Sequence, residues 1–221
     1  MHKKEDLVIF GVGQIAQIAQ FYFDNDSKYK VAFFVADKEF IKDSCINKIP
    51  VIEYEQFKKE QKTNETNIFV AVAYSLLNKT RESIVSRVYN DGFNVKSYIS
   101  TKSQINGEVK GLNNFILENN TIQPYSKIGS NNFIWSGNHI GHHTIIGDNN
   151  FISSHVIISG AVSIGSNNFL GVNSTVVDNI TIGNKCIVGG GALVDKSLKD
   201  EAVISAPKSI LHSFTSNKIK L

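Results

Sequence analysis

The chain has 221 residues, 42% of them hydrophobic and 19% charged, with a formal net charge of +3. That is enough for one large domain or two small ones with a real core, and no long basic block interleaved with aromatics offers a nucleic-acid surface. No apolar run approaches the roughly 18 residues of a membrane helix, "MHKKEDLVIFG" does not read as a secretory leader, and Cys45 and Cys186 are too few and too far apart for a disulfide framework or a CxxC metal site. A cytoplasmic protein with small-molecule partners, and no membrane or nucleic-acid partner, is the expectation.

Residues 1–100 alternate short apolar runs with helix-like stretches. The strand-like "DLVIFG" (6–11) leads into the helical "GQIAQIAQFYF". The strand "YKVAFFV" (29–35) follows, then the helix "YEQFKKEQK", the strand "NIFVAVA" (67–73), the periodic "LLNKTRESIVSRVYNDG" and the strand "NVKSYIS" (94–100). Strands separated by helices pair in parallel through right-handed crossovers, so a small α/β domain is expected. Within it "GVGQIA" sets Gly11, Val12, Gly13 and Ala16 as G-x-G-x-x-A between strand and helix, where backbone N–H groups and the helix dipole can meet a phosphate. Asp37 follows the second strand, where an acidic residue can hold a ribose hydroxyl. Tyr74, in the "AYS" turn, and Arg81 stand near the end of a further strand, placed either to meet a ligand or, for Arg81, to lie on a solvated helix face.

From residue 101 the pattern changes. Fourteen aliphatic residues from Ile116 to Val194 fall in one frame of six, and glycine follows at 129, 141, 147, 165, 171, 183 and 189. Neither the 3.6 period of a helix nor the 2 period of a strand produces this. A coil with three flat faces does, each face taking one hexad and each full turn stacking about 4.8 Å further along. "NNFI" at 113, 131 and 149 and "NNFL" at 167 recur once per three hexads, Asn being suited to the positive φ of a sharp corner. The column Phe115, Phe133, Phe151 and Phe169 is expected to face outward and, as a stack of exposed aromatics, to form a self-association interface.

These hexads, Ile-Gly-x-x-x-x, resemble the hexapeptide-repeat acyltransferases. Together with "VIFGVGQIA" at the start and "IVGGGALV" and "SAPKSI" at the end, the whole chain is similar to the NeuD/PglD-type sugar acyltransferases of bacteria. The resemblance implies a Rossmann-like nucleotide-sugar domain (1–100), a left-handed parallel β-helix (101–205), a C-terminal tail (206–221), a homotrimer, and acetyl-CoA as acyl donor. It places the catalytic base on His142 in "SGNHIGHHTIIGD", the oxyanion contact on the Gly160 amide one coil on, and pantetheine near Gly160, Val172 and Gly190, with Lys196, Lys199 and Lys208 available to phosphates. Where relatives carry an acidic residue to orient the base, this chain has His143. His143 itself, His139 and His155 therefore remain candidates, and the orienting group is open. A neutral imidazole suits the proton transfer that acyl transfer needs, and no metal is expected because the "HIGHH" segment has no Asp, Glu or Cys.

The function implied is N-acetylation of a nucleotide-linked amino sugar, such as a 4-amino-4,6-dideoxyhexose, for surface glycan of the O-antigen or lipopolysaccharide kind. Two alternatives stay open: sugar O-acetylation of the sialic-acid type, and a non-catalytic β-helix that binds a nucleotide sugar.

Overall fold

A computed structural model describes residues 4–209 and Ser213. Most of the expected C-terminal tail therefore lies outside the described residues. The α/β half comprises β1 (Glu5–Phe10), α1 (Gln14–Asn25), β2 (Tyr29–Ala36), β3 (Cys45–Ile46), β4 (Ile49–Glu53), α2 (Tyr54–Glu60), β5 (Asn67–Val70), α3 (Lys79–Asn90) and β6 (Asn94–Val95). Its sheet runs β3-β4-β2-β1-β5-β6, parallel except for the β3–β4 pair. That hairpin was not expected. Its turn residues Asn47 and Lys48 both take positive φ (49° and 67°), so a tight two-residue turn hides inside "CINKIPVIE".

The stretch read as one strand over 94–100 divides between the two halves. Asn94–Val95 closes the α/β sheet, while Tyr98–Ile99 pairs with Phe115–Ile116 and begins the first coil of a three-faced parallel β-helix. Each face is a stack of very short strands, every one paired with its counterpart in the next coil, as Phe133–Ile134 over Phe115–Ile116 and Phe151–Ile152 beyond them. All fourteen aliphatic residues of the period-six frame are buried in one core that fills the prism. The corners obey the same period. From 113 to 191 every sixth residue has φ between 56° and 77°: Asn at half of them, with Tyr125, Gly137, His143, His155, Ala161, Lys185 and Gly191 at the others.

The repeated NNFI can now be read residue by residue. The first Asn turns the corner and passes its side-chain amide to the next copy, Asn113 to Asn131 at 2.8 Å and Asn131 to Asn149 at 2.7 Å. The second Asn points inside, where the Asn114, Asn132, Asn150 and Asn168 side-chain oxygens each accept the backbone N–H one coil on, at 2.6–2.9 Å. Such ladders satisfy amides that burial would otherwise leave unpaired. Ile then fills the interior.

The Phe column does not face solvent or a second copy. Phe115, Phe133 and Phe151 are buried in the same core as Leu7, Ile9, Phe23, Phe69 and Tyr98, with Phe69 stacked on Phe133 at 5.9 Å. The aromatic stripe needed a cover, and the chain's own α/β half supplies it, so the column gives no argument for self-association.

Arg81 is also corrected: it is neither a ligand group nor on a solvated face. It has 0% exposure and lies 4.1 Å over the Phe133 ring. It donates to Asn131 Oδ1 (3.0 Å), Asn131 O (3.1 Å), Asn150 O (3.2 Å) and Asn78 Oδ1 (3.0 Å). Desolvation lowers its pKa to about 9, which still leaves a cation at neutral pH. The guanidinium therefore satisfies corner carbonyls that the α/β half would otherwise bury dry. Arg81→Met should lower the unfolding free energy by about 3 kcal/mol, the scale for stripping one partner from a buried charged network; urea denaturation checks this, and a loss under about 1 kcal/mol would exclude the role.

Candidate active site

The three corners of each coil build three edges along the prism. The first runs through Asn113, Asn131, Asn149 and Asn167, under the α/β half. The second, through Asn119, Gly137, His155, Asn173 and Gly191, joins the Phe face to the face carrying His139 and Ile157. The third, through Tyr125, His143, Ala161 and Asn179, joins that face to the one carrying Ile145 and Ser163.

The backbone N–H just before each corner points off the edge, and the edges treat it differently. Along the first edge side chains take it: Asp148 from Ser130, Ser166 from Asp148, Asn184 from Ser166, and Asp200 from Asn184, at 2.6–3.0 Å. On the third edge Gln123 Oε1 takes that of His142 at 2.9 Å. The N–H groups of Gly160, Val172 and Gly190 meet no acceptor among the described residues, and these residues are half-buried or exposed. Unpaired amides pointing off an exposed edge are ready donors for a ligand.

His142 and Gly160 are one coil apart on the third edge and in contact. A Cβ placed on Gly160 would fall 2.6 Å from His142 Cε1 and 2.7 Å from Nε2, so the imidazole lies directly against the glycine backbone. On its other side His142 Nδ1 is 3.1 Å from His143 Nδ1, and the His143 ring packs on Tyr125 with 4.8 Å between centroids. His155 repeats the arrangement on the second edge, where its ring overlies Gly137, while His139 sits mid-face and half-buried.

Val172 and Gly190, by contrast, precede corners of the second edge. One chain thus separates them from His142 and Gly160 by a whole prism face. The candidate site residues form two constellations, not one.

At the α/β half, Gly11 has φ 133° and its missing Cβ would meet Ala71 O at 2.7 Å, so the turn into α1 tolerates only glycine there. Gly13 is exposed with open space before it, Val12 lies between, and no side chain caps the first turn of α1. Asp37 is engaged elsewhere: Arg87 Nη2 donates to both its carboxylate oxygens, at 2.9 and 3.0 Å. Tyr74 is 51% exposed and leans on Phe151 and Phe169, with centroids 4.8 and 5.0 Å away.

The sequence reading missed a cavity of about 790 Å³ between α1 and the second edge, lined by Gln14, Gln17, Phe21, Tyr22, Glu118 and Trp135 among others. Tyr22 and Ser136 donate to the two oxygens of Glu118 at 2.6 and 2.8 Å. Burial alone would raise the Glu118 pKa, but these hydrogen bonds outweigh it and hold the carboxyl below its ordinary range. Burial, helped by Glu118, pushes the Tyr22 phenol up to about 12. The indole N–H of Trp135 is buried without an acceptor among the described residues, an orphan donor beside the cavity. Tyr22 and Glu118 are 96 residues apart, and no local pattern marks either.

A family model described as bacterial transferase hexapeptide, six repeats, matches residues 125–160, the stretch holding His139, His142, His143 and Gly160. Residues 125–160 thus carry hexapeptide repeats of the bacterial-transferase kind. Perosamine N-acetyltransferase from Caulobacter crescentus, solved as a histidine-to-asparagine variant with CoA and GDP-perosamine, matches 91% of this chain and 93% of its own, with TM-score 0.82 and 23% identity. The acetyltransferase domain of PglB from Neisseria gonorrhoeae, in complex with acetyl coenzyme A, matches 92% and 97%, with TM-score 0.80 and 18% identity. WeeI from Acinetobacter baumannii matches 92% and 97%, with TM-score 0.60 and 21% identity. No curated protein matches the sequence. These likenesses establish a fold shared along nearly the whole chain.

Gly160→Ala tests the third-edge constellation. The backbone there is ordinary in φ, so the only cost is the methyl against the His142 ring. The variant should fold with an unchanged melting temperature and lose about 10²-fold or more in turnover, the scale of a displaced general base; wild-type turnover would mean that the His142–Gly160 contact is idle.

Proposed function

We propose that the protein is an acetyl-CoA-dependent N-acetyltransferase acting on a nucleotide-linked amino sugar. The observation that carries it is the third edge: an exposed imidazole pressed against a glycine whose N–H is unpaired, which is a base beside an oxyanion donor. The likeness in fold to enzymes solved with CoA, acetyl coenzyme A and GDP-perosamine supports the donor and the acceptor class.

The acceptor's amine attacks the thioester carbonyl as its proton passes to His142 Nε2. The N–C bond forms, the Gly160 N–H stabilises the tetrahedral oxyanion, and the C–S bond then breaks. The leaving thiolate recovers a proton from His142, giving free CoA and an amide. The uncapped first turn of α1 at Gly13 suits the diphosphate. The cavity beyond it, with aromatic walls, the Glu118 carboxylate and the spare Trp135 donor, offers an amino sugar the mixed lining such pockets have.

Val172 and Gly190 suit the pantetheine arm through their unpaired amides, and Lys196, Lys199 and Lys208 are exposed for the cofactor phosphates. Because His142 and Gly160 sit on a different edge, one CoA touching both groups must bridge two copies of the chain. That requirement, not the Phe column, is the structural argument for an oligomer, and a ring of three prisms closes it symmetrically. The Rossmann-like assignment of the first half, its boundary near residue 100, a cytoplasmic location and a role in surface glycan assembly belong to the same reading.

The test is thiol-detected CoA release from acetyl-CoA with UDP-, dTDP- and GDP-linked 4-amino sugars and their 4-hydroxy counterparts. One amino sugar should turn over, and His142→Ala should lower its kcat/KM by more than about 100-fold. Turnover of hydroxy sugars alone would make the enzyme an O-acetyltransferase; no turnover and no binding of CoA would leave a nucleotide-sugar-binding β-helix.

A further inference from the structure

We infer that His143 is a positioning residue that accepts a hydrogen bond from His142 Nδ1 and thereby fixes the base in its reactive tautomer. The inference rests on the reading of His142 as the base of acyl transfer.

The two Nδ1 atoms are 3.1 Å apart with the rings nearly perpendicular, at 85°. Two neutral imidazoles can hold that separation only if one Nδ1 carries a proton and the other presents its lone pair. The surroundings choose between the two arrangements. The His142 ring lies against Gly160, with Cε1 and Nε2 nearest to where a Cβ would stand, and the Gly160 N–H is unpaired among the described residues. A base acting there needs a lone pair on Nε2, hence its proton on Nδ1. His143 must then accept at Nδ1 and carry its own proton on Nε2.

His143 is held for this task. It occupies a left-handed corner (φ 59°), its N–H donates to Pro124 O at 3.3 Å, and its ring packs on Tyr125, the corner one coil earlier. The groups facing the pair are Tyr125, the Gln123 side chain on the His142 N–H, and the Gly160 backbone. Among the described residues no carboxylate pairs with either ring, and no cluster of three His, Cys, Asp or Glu forms around them.

An imidazole in this place differs from a carboxylate in kind. A carboxylate orients the base and also stabilises its protonated form. A neutral imidazole orients it through the hydrogen bond alone, without a full charge beside the base. During turnover the proton taken at Nε2 makes His142 an imidazolium whose Nδ1–H still points at His143, and returning it to the thiolate restores the starting pair.

The experiment joins ring-nitrogen NMR on ¹⁵N-histidine-labelled protein with the kinetics of two variants. In the wild type the neutral form of His142 should be the Nδ1–H tautomer and that of His143 the Nε2–H tautomer. In His143→Ala, a change the fold accepts because Ala161 turns the same corner one coil on with φ 56°, His142 should revert to the Nε2–H form. Its kcat should fall about 10- to 100-fold with little change in KM. His143→Asp suits a left-handed corner and should restore most of the turnover while moving the acid limb of kcat/KM to higher pH, because the carboxylate favours the imidazolium. A wild-type His142 in the Nε2–H form, or His143→Ala turning over within twofold of wild type, would overturn the proposal. If no acceptor is acetylated at all, the acyl-transfer reading fails, while the tautomer measurement still decides whether the histidine pair exists.

Discussion

Everything in this molecule depends on one backbone constraint: a residue in left-handed conformation at every sixth position from 113 to 191. Three such corners close a triangle, and each closed triangle lands in parallel register on the one before it. Side chains then fall into columns. Ile lines the interior, Asn ladders pass backbone hydrogen bonds from coil to coil, and Phe forms one external stripe. Left-handed conformations cost about 1–2 kcal/mol per non-glycine residue, and Asn at half of the corners lowers that cost because its short side chain bonds locally.

The chemistry follows from the same triangle. The first edge is sealed by Arg81 and by side chains that cap its amides. The other two keep unpaired N–H groups at Gly160, Val172 and Gly190. The amides of Ser136, Ser154 and Asp178 on these edges likewise meet no acceptor among the described residues, so what singles out Gly160 is the imidazole lying against it. The glycine that leaves room for the imidazole also keeps an unpaired N–H, so a ring and a free donor come from one local feature.

The prism was legible because its period is strict: fourteen frame positions predicted the interior, and all fourteen are buried there. That His142 and Gly160 lie against each other was legible for the same reason, since they stand one full repeat apart in a strictly periodic coil. What the repeat could not reveal was which side of the prism is covered. The Phe stripe requires some apolar partner, but nothing in its spacing says whether that partner is a second copy or residues 5–70 of the same chain. Arg81 was misread for a related reason, since a charged residue in a periodic helix looks solvated until the asparagine carbonyls it serves, 50 and 69 residues away, are brought to it. The cavity around Glu118 joins segments 96 residues apart and had no local signature at all.

The proposed acyl transfer requires one catalytic centre made from the third edge of one chain and the second edge of another. Mixed assemblies test it most directly: His142→Ala, which damages only the third edge, is co-assembled in equal amounts with Val172→Trp, which blocks only the second. Each variant alone should be nearly inactive. Random mixing in a ring of three leaves an intact pair of edges at one site in four, so the mixture should regain about one quarter of wild-type turnover. A mixture no more active than its components would mean that each chain carries its whole site, and the two-edge account would be wrong.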